Sequence, residues 1–238
     1  METEIGILKK LKGHPNIVTL HYSTQVDNCM YIALGFVSGG DLYTLIESQK
    51  KIYQEDRAAA IAWDMSRALN FCQKNGVKLR DIKPHNFIID SEGKLLLSDF
   101  GLSSTSKYAK NAREYFFWHN TRQMMNCTPA YIDPLVDEGM VEKAALWSVG
   151  VMLFELVCGR LPFGNVGTAG QFEQYLRNAG DAVYEFTEHE AHRLGQHFKD
   201  FCAKIFVADY NLRMSLNELC KSEFVQEHKD YWELVEER

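Results

Sequence analysis

The chain lacks any surplus of positive charge: 26 lysines and arginines stand against 32 aspartates and glutamates, for a net charge of -6 over 238 residues. That balance argues against a general nucleic-acid binder. Paired cysteines are missing too. Cys29, Cys72, Cys127, Cys158, Cys202 and Cys220 are scattered, with no C-x-x-C among them. They read as reduced, mostly buried thiols of an intracellular protein, not as a disulfide frame or a zinc site. There is no long apolar run either. The most apolar segment, Ala144 to Cys158, is too short to cross a bilayer and carries Glu155. The opening Met1-Glu-Thr-Glu-Ile has neither the basic head nor the apolar stretch of a signal peptide. No repeat, low-complexity tract or interdomain linker interrupts the chain. A cytoplasmic or nuclear protein with neither membrane nor nucleic acid as partner is the expectation. With 46% hydrophobic residues it can bury a full core, as one domain or as two small lobes.

What is present centres on Gly76 to Gly101, G-V-K-L-R-D-I-K-P-H-N-F-I-I-D-S-E-G-K-L-L-L-S-D-F-G. Asp81, Lys83 and Asn86 come first, then a turn, an apolar strand and Asp99-Phe100-Gly101. Two carboxylates and an amide oxygen are hard ligands suited to Mg²⁺. An ammonium beside them can balance charge on a phosphoryl group. Upstream, Ile7, Leu8 and Leu11 keep helical spacing over Glu4–Leu11, with Gly13 as its stop. Ile17-Val18-Thr19-Leu20 predicts a strand by its β-branched content, and Met30–Leu34 a second one after a turn at Asp27-Asn28. A helix from Asp56 to about Lys74 places Ala58, Ile61, Ala62, Met65, Leu69 and Cys72 on one face, and Gly76 ends it. Ala144 onward is apolar almost all round, as a central core helix should be. Leu194, Phe198, Phe201 and Ile205 form another stripe, Ser215 and Glu218 a capping box, and Glu227–Arg238 a solvated helical end.

D-I-K-P-H-N followed by D-F-G, then T-P-A-Y at 128–131, W-S-V-G at 147–150 and a late arginine at 213, resembles the motif order of eukaryotic protein kinases. The match runs over essentially the whole chain, and Lys83 two residues after Asp81 points to the serine/threonine type. The resemblance implies an α+β, protein-kinase-like fold. It would have a mainly helical large lobe (38–238) and a reduced small lobe with hinge (1–37) made of one helix and two strands. It implies ATP and Mg²⁺ as cofactors and a protein as substrate or partner. Asp81 would orient the substrate hydroxyl, Lys83 would stabilise the transferring phosphate, and Thr128 would bridge the two. Asn86 and Asp99 would hold the metal. Nucleotide contacts would fall at Leu34, Phe36, Val37, Asp41, Ile88 and Glu4. Asp41 reads equally well as a helix N-cap alone. Leu8, Leu20, Leu79 and Phe100 would stack as the apolar column joining the lobes. Glu155 stands where some family members hold a basic substrate residue, whereas His85 replaces a second acid used for that purpose. Leu102–Asn126 resembles an activation segment, whose Tyr115–Trp118 cluster would pack on the large lobe. Ser103–Ser106 or Thr121 would be phosphosites facing Arg80.

The departures from the pattern are equally legible. Only three residues precede Glu4, too few for a glycine-rich hairpin and a strand lysine to pair with that glutamate. Lys9 and Lys10 share its helix and cannot substitute. Either the chain is shortened at its start or Met1 is an internal methionine of a longer reading frame. The two remaining strands would form a marginal sheet with an edge open to another chain. Leu79 replaces the histidine of the catalytic loop and Ala145 the aspartate that anchors that loop's backbone. Leu135 replaces the glutamate that pairs with the late arginine, so Arg213 is expected to lose that partner. Asp133 takes the place of an alanine two residues before Leu135. A catalytically impaired binding or scaffold module, a pseudokinase, is therefore the alternative reading.

Overall fold

A computed structural model describes residues 2–49, 53–79, 81–105, 129–131, 133–134 and 141–227. Helix α1 (Glu2–Lys10) buries Ile5, Ile7 and Leu8. It leads through a turn to β1 (Leu20–Val26) and β2 (Cys29–Leu34), an antiparallel hairpin in register Ser23 with Ile32 and Thr24 with Tyr31. Asp27 makes the turn with φ of 52°, a conformation that aspartate tolerates better than most residues. The first strand therefore lies later than its β-branched residues suggest. Ile17 forms a parallel bridge to Leu97, Val18 N–H donates to Leu97 O at 3.0 Å, and Leu97 N–H donates to Asn16 O at 2.9 Å. These long-range bonds hold residues 16–18 against a different hairpin, and β1 begins only at Leu20.

Helix α2 (Leu42–Gln49) starts at Asp41, whose Oδ1 accepts from Thr44 N–H at 2.6 Å. The 20-residue α3 (Glu55–Lys74) buries Ala58, Ala59, Ala60, Ala62 and Ala68, small side chains that let neighbouring elements approach closely. A 3-10 turn (Pro84–Asn86) opens β3 (Phe87–Ile89), which pairs antiparallel with β4 (Leu95–Leu97). Two buried polar groups pin β4: Asp64 of α3 accepts from Leu95 N–H at 2.9 Å, and Asn16 Nδ2 donates to Leu95 O at 2.9 Å. The strand cannot slide without stranding both, which fixes the direction in which the chain enters Asp99.

Helix α4 (Val141–Cys158) is the central one, with Leu146, Trp147, Val149, Val151, Met152, Leu153 and Phe154 all buried. A Cβ at Gly150 would lie 2.8 Å from Ile205 Cγ2, so only glycine lets α7 (Gln196–Ile205) pack against α4 at this distance. Between them come α5 (Ala169–Gly180) and the short α6 (Glu188–Arg193). The chain closes with α8 (Leu216–Lys221) and α9 (Glu223–Gln226). The capping box forms as expected, with Ser215 and Glu218 each receiving the other's backbone N–H. Leu194, Phe198, Phe201 and Ile205 are all buried. The architecture is α+β and mainly helical, with two small two-stranded sheets among the described residues.

Candidate functional site

Three local structures bring the candidate residues together. The segment after α3 delivers Asp81 and Lys83, whose Oδ2 and Nζ meet at 2.6 Å with about a fifth to a quarter of each side chain exposed. The 3-10 turn then buries Asn86, whose Nδ2 donates to Asp81 O at 2.7 Å. The amide nitrogen is thereby spent on the loop, and the oxygen is the end that suits a cation. The β3–β4 hairpin closes the arrangement. Pairing of Phe87 with Leu97 places Asn86 and Asp99 at one end of the hairpin, and Ser98 donates to Asn86 O from both its N–H (2.9 Å) and its Oγ (3.0 Å). Asp99 itself is exposed, its Oδ1 accepting from Gly101 N–H at 2.8 Å. Two carboxyl groups and one amide oxygen are oxygen donors that fit Mg²⁺ carrying part of its water shell. Among the described residues no cluster of three histidine, cysteine or acidic side chains forms a further metal site.

The residues expected to meet a nucleotide divide into two groups. Asp41 and Ile88 come together: they form an antiparallel bridge, Ile89 N–H donates to Gly40 O at 2.9 Å, and Gly39 N–H donates to Ile89 O at 2.8 Å. A Cβ on Gly39 would sit 2.4 Å from Ile89 O, so glycine is required for this approach. Leu34 is 39% exposed and the Phe36 side chain 93% exposed, while Val37 is half-buried. The Phe36 ring is thus turned to solvent.

Glu4 lies half-buried on α1, its carboxyl pushed above the usual range first by burial and then by the charge of Asp99. The glutamate expected to pair with a lysine thus feels a second carboxylate. Leu8, Leu20, Leu79 and Phe100 are all buried in one core, as a column joining the two parts of the molecule requires. Ala145 presents only a methyl group, itself buried. Thr128, Arg80, Leu135, Ser106, Thr121 and the Tyr115–Trp118 cluster lie outside the described residues, as does the chain after Glu227.

Arg213 corrects an expectation. It is 1% exposed, and its Nη1 ion-pairs with Asp133, both side chains being fully buried. Tyr210 Oη donates to the same Asp133 oxygen at 2.8 Å, Arg213 Nε donates to Val207 O at 2.9 Å, and the guanidinium lies over the rings of Trp147 and Tyr210. The physical reason is that a buried guanidinium demands a counter-charge, and the aspartate two positions before Leu135 supplies one. Both substitutions are visible in the sequence. They read there as separate losses because nothing in a linear pattern tells that position 133 can reach position 213.

Beside the catalytic loop, His85 stacks on Tyr43 with ring centroids 4.1 Å apart. Tyr131 Oη donates to Glu155 at 2.5 Å, and burial raises both the phenol and the carboxyl. Asp64 and Asn16, which set the hairpin, carried no sequence signal: each is an isolated polar residue whose partner is a distant backbone group.

A family model described as "Protein kinase domain" matches residues 1–225. The serine/threonine-protein kinase PEPKR2 of Arabidopsis thaliana is 30% identical over 230 residues, covering 95% of this chain and 45% of that protein. The CBL-interacting serine/threonine-protein kinase 15 of the same plant is 33% identical over 245 residues, covering 100% of this chain and 53% of the other. The CBL-interacting protein kinase 9 of Oryza sativa subsp. japonica is 37% identical over 167 residues, with coverage of 68% and 34%. The chain spans about half the length, or less, of these relatives.

Proposed function

The chain belongs to the protein kinase domain family, and from that premise we propose that it moves the terminal phosphoryl group of ATP to a serine or threonine hydroxyl of a protein. The observation carrying this reading is the bonded set Asp81–Lys83–Asn86, set beside Asp99 by the pairing of Phe87 with Leu97. Asp81 accepts the hydrogen bond of the substrate hydroxyl and aims its oxygen in line. Lys83 leaves its ion pair with Asp81 part-exposed and close enough to share its charge with incoming phosphate oxygens. Asn86 and Asp99 would hold Mg²⁺, which when bound neutralises phosphate charge. A phosphate-transfer assay on a protein substrate with Asp99→Asn as control tests the proposal. Incorporation at least about a hundredfold lower in the variant is expected from loss of a metal ligand; equal incorporation by both proteins overturns it.

A second reading, a binding module with weak or no nucleotide affinity, draws on one specific observation. Glu4 faces the charge of Asp99 where an ammonium would complete the phosphate site. Thermal melting with and without Mg-ATP separates the two. A metal-dependent rise in melting temperature favours the enzyme, and none favours the module.

A further inference from the structure

Pro129–Tyr131 and Asp133–Pro134 are held by side chains from α4, α5 and the loop before α8. Tyr175 of α5 donates to Ala130 O, and Ser148 of α4 donates to Tyr131 O at 2.7 Å. Tyr131 Oη donates to Glu155 of the same helix, and Asp133 binds Arg213 and Tyr210 from the loop before α8. The first three bonds fix the backbone and ring of two residues. The Asp133–Arg213 bond pairs a carboxylate with a guanidinium, and both side chains are fully buried. Arg213 spreads that anchorage through Val207 O and Lys143 O, while Lys143 Nζ donates back to Arg213 O. The other flank of this shelf borders the catalytic loop, because Tyr43 lies within electrostatic range of Tyr131 and stacks on His85, next to Asn86.

We propose that Asp133 is the positioning residue of the substrate side of this site. Through Arg213 it holds Pro129–Tyr131 and Asp133–Pro134 as a fixed shelf along which a protein segment presents its hydroxyl to Asp81. The carboxylate doing this stands at 133 because position 135 carries leucine, so the departures at Asp133 and Leu135 are one relocation and not two losses. A buried guanidinium stripped of its counter-charge is strongly destabilising locally, so a chain with leucine at 135 holds the shelf only if another acid reaches Arg213. The inference rests on the kinase reading for its catalytic half and on the buried ion pair alone for its structural half.

Hydrogen exchange followed peptide by peptide, combined with steady-state kinetics, tests both halves. Asp133→Ala is compared with Asp133→Asn, which keeps the shape and the acceptor oxygen, and with Asp133→Ala/Leu135→Glu, which returns a carboxylate two residues on. Expected in Asp133→Ala is exchange about a hundredfold faster over 129–134 and 207–214 with α3 unchanged. The asparagine variant should fall between, and the double variant should recover most of the protection. With a peptide substrate, KM for peptide should rise while KM for ATP stays within about twofold, since the ion pair of Asp133 with Arg213 anchors the shelf and not the Asp41–Ile88 bridge. Exchange that rises equally in α3, a double variant no better protected or folded than Asp133→Ala, or equal shifts in both KM values would each overturn the proposal. A wild-type chain that transfers no phosphate overturns the kinase reading instead, and the exchange measurement then decides the anchor alone.

Discussion

Two hairpins of similar plan meet opposite fates in this molecule. β3–β4 is buried at Phe87, Ile89, Leu95 and Leu97 and is tied from outside by Asp64 and Asn16. β1–β2 is longer yet leaves Tyr22 63%, Val26 52% and Tyr31 56% exposed. In its register Tyr22 faces Ala33, Thr24 faces Tyr31 and Val26 faces Cys29, so one face of that sheet is apolar and turned to water. Leu20 is buried at the start of β1, and Met30 and Ile32 pack against the core from the other side. The short hairpin carries Asn86 and Asp99 at its end, whereas the long one leads to Leu34 and Phe36. The candidate metal-holding residues thus sit at the end of a buried hairpin tied from outside, and the candidate nucleotide-contacting residues follow a hairpin with one face in water.

The comparison breaks most sharply under truncation. Phe87→Ala should destabilise by about 3–5 kcal/mol, because a fully buried ring is replaced by a cavity between β3 and the core. Tyr31→Ala, the same kind of truncation on the other hairpin, should stay within about 0.5 kcal/mol. Urea unfolding followed by far-ultraviolet circular dichroism measures both. Similar costs for the two variants would mean that the exposed face is covered in solution, and that the contrast does not describe the protein there.

A smaller effect tests the ties and not the packing. Asp64→Ala leaves the buried Leu95 N–H without this acceptor, a loss of about 1–3 kcal/mol or more. Gln25→Ala on the exposed hairpin removes only a solvent-facing bond to Asp27 O and should change stability by less than about 0.5 kcal/mol. The functional consequence differs as well. Loosening β4 frees the approach to Asp99, so the alanine variant should weaken the Mg²⁺ dependence of any melting shift produced by ATP. An unaltered Mg²⁺ response in Asp64→Ala would break the link between hairpin pinning and metal geometry.

This contrast also explains what a linear reading could reach. The helices at Glu2–Lys10 and Glu55–Lys74 were legible because each repeats its apolar residues at helical period, and Val141–Cys158 because it is apolar almost all round. The set Asp81, Lys83, Asn86 and Asp99 was legible because four residues in fixed order and spacing form a pattern. The start of β1 was misplaced because Ile17 and Val18 look like strand residues yet spend their backbone groups on Leu97, 79 or more positions away. The partner of Arg213 was missed for the same reason: a buried ion pair joining residues 80 apart leaves no periodic trace. Spacing carries local structure, and burial decides which distant group a charge or a strand edge finds.

The smallest expected effect concerns Glu4, which lies on α1 and feels the charge of Asp99. Burial and that neighbouring carboxylate both raise its pKa above the ordinary value of 4.5, so the folded protein holds a proton here more readily than the unfolded chain does. The sign follows directly. The favourable contribution of protonated Glu4 is fully present below pH 4.5 and is lost as pH rises through the raised folded value. At neutral pH the ionised carboxylate is therefore a mild cost, and Glu4→Gln should stabilise the chain by a few tenths of a kcal/mol after screening by solvent. The gain should shrink as pH falls, since the wild-type carboxyl then becomes neutral as well. It should also shrink on adding Mg²⁺, because a cation on Asp99 removes the repulsion that the substitution relieves. Melting curves of both proteins between pH 4 and 8, with and without Mg²⁺, read all three dependences. A gain independent of pH would mean that the substitution acts through packing, and that Glu4 and Asp99 do not face one another electrostatically in the folded chain.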